Sequence, residues 1–132
     1  MTRYTLILFV LLASASAQAT EYRFVADDLS AQTRFCVAAA ENDIDGLRGQ
    51  MRKLRQSPHH QYKDIVNAIR CNDQGAAQFA HRYGASETFA YLYPLTAREQ
   101  RDLIPHTSVE EVALTDSSDQ DSATVLVHVR GR

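Results

Sequence analysis

The chain predicts an α+β fold, with short helices first and strands last. Three observations point there. Apolar residues recur at helical spacing from Leu29 to Tyr83. After Gly84 the pattern turns aromatic and then β-branched, in residues 88–93 and 123–130. No internal repeat interrupts this order. A switch of period from about 3.6 to 2 along one chain reads as helices followed by strands.

Residues 22–25 are a short extended start that is expected to fray. Asp27, Asp28 and Ser30 are N-cap candidates for a first helix, because their oxygens accept from the free N–H groups of a first turn. Leu29, Thr33, Cys36 and Ala40 fall at i, i+4, i+7 and i+11 and place Cys36 on one stripe of that helix. Asn42 and Asp43 end it, and can cap the next. Ile44, Leu47, Met51 and Leu54 line one face of a second helix over 44–56, which Gly46 and Gly49 weaken by roughly 1 kcal/mol each.

Ser57-Pro58 stops the second helix, and Pro58 suits the first position of a third. Tyr62, Ile65, Val66 and Ile69 share its inner face. A continued helix would turn Cys71 away from that face, so the helix is expected to end near Arg70. Residues 72–75, Asn-Asp-Gln-Gly, have turn chemistry. Ala76, Phe79, Ala80 and Tyr83 form a fourth helical stripe, and Gly84 is placed to terminate it. These four helices cover 27–84, and 88–130 is expected to be rich in strands, with 97–103 a brief helical turn. In the tail, 109–115 and 123–130 flank a polar acidic loop, 116–122, and read as a hairpin. A competing reading makes Ser108 and Glu111 a capping box that starts a short helix before one strand.

Residues 1–19 read as a secretory signal peptide. Arg3 is the positive flank, 6–13 is an unbroken apolar run, and Ala17-Gln18-Ala19 presents small residues where a signal peptidase reads. The run falls short of the ~20 residues needed to span a bilayer. Cleavage after Ala19 leaves 20–132 as a single exported domain. It removes one positive charge, Arg3, and takes the formal net charge from −2 to −3. That balance does not suit a nucleic-acid binder. An oxidising compartment and an even cysteine count predict one disulfide, Cys36–Cys71. A redox pair would normally stand at Cys-x-x-Cys spacing.

The residues that carry common chemistries are scattered. The five histidines are His59, His60, His81, His106 and His128. Only His59 and His60 are neighbours, and adjacent helical residues point about 100° apart, a poor chelate. No zinc spacing, nucleophile elbow or phosphate loop occurs. The expectation is therefore no metal, no cofactor and no catalytic residue.

Charge is the uneven feature. Residues 46–70 hold six bases, Arg48, Arg52, Lys53, Arg55, Lys63 and Arg70, against one acid, Asp64. Residues 102–121 hold six acids and no Lys or Arg. Arg48, Arg52 and Arg55 share helical spacing. They read either as a patch for an envelope protein or an anionic envelope component, or as a solvated face that balances the acidic tail.

Cys36-Val-Ala-Ala, Cys71-Asn72, Phe79-Ala80 and Tyr83-Gly84-Ala85 together resemble a family of small exported proteins of Gram-negative bacteria that is known only as a domain of unknown function. The likeness covers about 29–92. The chain departs at Asp73, where the family pattern has Gly, with Gly75 two residues later. The resemblance implies a periplasmic address and brings no activity, cofactor or site residue. The expectation is a periplasmic binding or structural module without catalysis. The alternative is a small envelope hydrolase or redox factor.

Overall fold

The computed structural model describes residues 20–105 and 124–132. The expected signal peptide, His106, the segment 109–115 and the acidic loop lie outside them. Among the described residues the order is β1 (Glu21–Ala26), α1 (Ala31–Ala40), α2 (Ile44–Leu54), α3 (Tyr62–Ala68), β2 (Arg70–Cys71), β3 (Gln74–Gly75), α4 (Ala76–Arg82), α5 (Ser86–Leu92), a 3₁₀ turn (Tyr93–Leu95), α6 (Arg98–Arg101) and β4 (Thr124–Val129). Helix and strand are mixed, as expected, but helices are more numerous and a strand comes first.

The first two helices follow the sequence reading closely. Ser30 caps α1 by accepting from Thr33 N–H, and Asp43 caps α2 by accepting from Gly46 N–H. Asn42 has φ +60 and turns the chain between them. Asp43 N–H returns to the Ala38 carbonyl and Glu41 N–H to the Val37 carbonyl, which satisfies the end of α1. Gly84, φ +68, does the same for α4, with Ala85 N–H on Ala80 and Gly84 N–H on His81. Leu29 is a correction: α1 starts after it, and it is 80% exposed. Pro58 is another. It lies in the turn before α3, which is capped by a reciprocal Gln61–Asp64 box.

Alanines 38–40 make α1 thin, so α2 and α4 approach it closely. Phe35, Leu47, Met51, Val66, Phe79 and Leu92 fill the space between. The segment 88–93, expected as a strand, is helical. Its free N-terminal N–H groups are capped from a distance: Asn42 Oδ1 accepts from Glu87 N–H at 2.8 Å and Thr88 N–H at 3.1 Å. The Thr88 hydroxyl donates to the Ala39 carbonyl at 2.6 Å. Thr88 and Leu92, one turn apart, then both point into the core. With α5, the 3₁₀ turn and α6 occupying 86–101, the strand-rich region expected from 88 onward is reduced, within the described residues, to β4.

The first element of the described residues, Glu21–Ala26, is a strand and not a frayed end. β1 pairs with β4 in parallel, Glu21 with Thr124 through Ala26 with Val129. Val129 is fully buried and Val127 half-buried, while Val125 is exposed, so the apolar alternation faces inward only toward the end of β4. Among the described residues its partner is β1; the expected hairpin partner, 109–115, lies outside them. Tyr22 and Phe24, on the same face of the ribbon, meet Tyr83 edge to face at 5.1 and 5.0 Å.

Beyond β4 the chain crosses the N-terminal turn of α1 and joins β2. Arg70 and Arg132 exchange two backbone hydrogen bonds, of 2.9 and 3.1 Å, and Cys71 faces Gly131. A Cβ at Gly131 would stand 2.4 Å from the Gln32 carbonyl oxygen, so glycine alone fits the crossing. Cys71 is also bonded to Cys36 of α1, with the Cα atoms 5.4 Å apart. The two strand pairs are thus tied to the helices at one point.

Candidate functional site

Three of the residues that drew the family resemblance, Cys36, Cys71 and Asn72, meet at this tie. Asn72 and Asp73 form a two-residue turn between β2 and β3, with φ +47 and +68. Two positive values mark a type I′ hairpin, for which Asn-Gly is the natural pair. The Asn72 carboxamide donates to the His128 carbonyl and accepts from Arg130 N–H, each at 2.8 Å. Thr33, fully buried, accepts from Gly131 N–H at 2.9 Å. Cys36, Cys71 and Asn72 therefore hold the C-terminal strand.

Around the turn lies an open polar depression of about 390 Å³ lined by Asp27, Asn72, Asp73, Arg130 and Arg132. Its charges answer one another. Asp27 lies 3.3 Å from His128 Nδ1 and 3.8 Å from Arg130 Nε, and Asp73 pairs with Arg132. Most of these side chains are well exposed, so solvent screens the pairs. Nearby, the Asp28 carboxyl is held below the usual carboxylate range, first by the Ser30 hydroxyl, then by Ser30 N–H and Thr33.

Arg48 and Arg52 are exposed on α2 and Arg55 is exposed at its C-cap, all three beside the stripe that buries Leu47 and Met51. Arg48 lies over the Tyr91 ring of α5 at 5.1 Å, and Arg55 over the Tyr62 ring of α3 at 5.5 Å. Arg55 also donates to the carbonyls of Pro58 and His60 and so closes the α2–α3 turn. Among the described residues none of the three forms an ion pair with a carboxylate. Periodicity found these arginines. It did not find their tyrosine seats, which come from helices packed later in the chain.

The histidines are dispersed. His59 is exposed, His60 borders the α2–α3 turn, His81 lies 5.1 Å from the Phe89 ring, and His128 faces Asp27. Among the described residues no three His, Cys, Asp or Glu side chains are grouped to hold a metal. No helix there is long and apolar enough to cross a membrane.

These features define a small disulfide-bonded α+β protein with a basic helix face. The chain belongs to the family described as "Protein of unknown function (DUF3718)", whose model matches residues 35–112, more than half of the sequence. No curated protein and no solved structure matches it.

Proposed function

We propose that the chain is exported to the periplasm as a single domain, loses residues 1–19 there, and works as a non-catalytic binding module for an anionic envelope component. One observation carries this reading: exposed Arg48 and Arg52 on α2 and exposed Arg55 at its C-cap have no carboxylate partner among the described residues. Two of them rest on tyrosine rings. Stacking restrains a guanidinium before any ligand arrives, so less side-chain freedom is lost on binding. The planar fork suits phosphate or carboxylate oxygens.

A redox role is the weaker reading, because both cysteines are bonded and 0% exposed. A thiol pair that exchanges with partners needs access.

Co-sedimentation with vesicles tests the proposal. The mature protein should bind phosphatidylglycerol vesicles and not phosphatidylcholine vesicles. Arg48→Glu with Arg52→Glu should weaken binding by about tenfold or more, since each basic residue near such a surface contributes about 1 kcal/mol. Equal binding to both vesicles, or no effect of the reversal, would refute it.

A further inference from the structure

A second depression, of about 450 Å³, lies where β1 enters the fold. One wall is Tyr22, Phe24 and Tyr83, three rings in mutual contact. The floor is the end of α1, Ala40 to Asn42, and Thr20 borders it directly.

The floor carries acceptors without a donor among the backbone and side-chain hydrogen bonds of the described residues, and Glu41 itself is exposed. At the end of α1 the carbonyls of Val37, Ala38 and Ala39 have donors. Those of Ala40 and Glu41 receive none from the described residues, and the Glu41 carboxylate meets no cation among them. A helix C-terminus adds partial negative charge. Burial pushes the Glu41 carboxyl above its ordinary range, and Asp43 adds to this. The other charged groups at the rim are Glu21 and Arg23, while Arg82 lies over the Tyr83 ring. Ala40 and Glu41, which line the depression together with Thr20, bring two backbone carbonyls and a carboxylate to this end of α1, acceptors that suit a group with three N–H donors and one positive charge.

We infer that this depression is an ammonium site and that its occupant is the chain's own α-amino group, released at Thr20 when residues 1–19 are removed. The inference rests on the processing reading proposed above. Thr20 directly precedes β1, so the pairing of β1 with β4 sets where that amine stands. Processing then does more than free the protein. It creates a cation that fastens β1 to the end of α1.

The test uses mature protein beginning at Thr20, before and after mild periodate oxidation. That reagent cleaves the 1,2-amino alcohol of an N-terminal threonine and replaces the amine with an aldehyde. With the amine present, Glu41→Gln should lower Tm by about 2–4 °C, as expected of a modest ion pair in a chain of this size. After oxidation the same substitution should leave Tm unchanged or raise it, because a neutral side chain no longer has a charge to desolvate. The α-amino group should titrate above its ordinary range of about 7.7–8.0. An equal Glu41→Gln effect in both proteins, an ordinary amine titration, or binding of methylammonium by the unoxidised protein would overturn the inference. Intact mass of the exported protein checks the processing reading separately. If export cuts elsewhere, a chain released at Thr20 from a fusion still tests the site.

Discussion

Asn72 and Arg130 are joined twice: Arg130 N–H donates to Asn72 Oδ1 at 2.8 Å, and Asn72 N–H donates to the Arg130 carbonyl at 2.9 Å. The side chain thus extends the strand ladder by one rung, at a turn where the backbone could not. Asn72→Ala should cost about 2–3 kcal/mol. Two side-chain hydrogen bonds contribute about 1 kcal/mol each, and alanine at φ +47 adds strain. Asn72→Gly should cost less, since glycine accepts that backbone. Urea unfolding of the three proteins checks the order.

The neighbouring position predicts the opposite sign. Asp73 has φ +68 and its side chain is three-quarters exposed, as is that of its partner Arg132. A screened surface pair contributes little. Asp73→Gly should therefore stabilise the fold by about 0.5–1 kcal/mol, with the gain coming from the turn. A loss in urea would mean that the Arg132 contact outweighs backbone strain.

The disulfide closes a loop of sequence separation 35 between α1 and β2. Chain-entropy arithmetic for that length gives about 4 kcal/mol, and measured losses usually fall at 2–4 kcal/mol. Cys36→Ser with Cys71→Ser should lose that much in denaturant unfolding. A loss under half a unit would show that the strand ladder and Thr33–Gly131 contact suffice.

Much of the helical part was legible in the sequence because its signals are local. Ser30, Asp43 and Gly84 act on groups within a few residues, and Leu47 and Met51 share one face of one helix. The failures all involve distant partners. Helix α5 looks like a strand until Asn42, 45 residues earlier than Glu87, caps it. β1 looks frayed until residues about a hundred positions later lie beside it. A parallel pair has no turn to announce it. The arginines were visible by spacing, whereas the two depressions were not, because each is assembled from segments far apart in the chain.

Acid should act on Asp28 in a defined direction. Hydrogen bonds from Ser30 and Thr33 hold its carboxyl below the ordinary value, so the folded state binds its proton less readily than the unfolded state. The contribution is present above the unfolded value, about 3.9, and is lost as pH falls through the lower folded value. Asp28→Asn should remove that limb of the acid-unfolding curve and leave stability near pH 7 almost flat with pH. Unfolding midpoints measured from pH 2 to 7 check it.

Binding of an anionic envelope component is proposed for the arginine side of α2. Amide and arginine side-chain NMR shifts, followed while the mature protein is titrated with phosphatidylglycerol nanodiscs, test it most directly. The Nε–Hε signals of Arg48, Arg52 and Arg55 should move first, together with amides of Ile44–Leu54. Shifts confined to the outer face of the β1–β4 ribbon, at Val25 and Leu126, or no shifts at all, would contradict it.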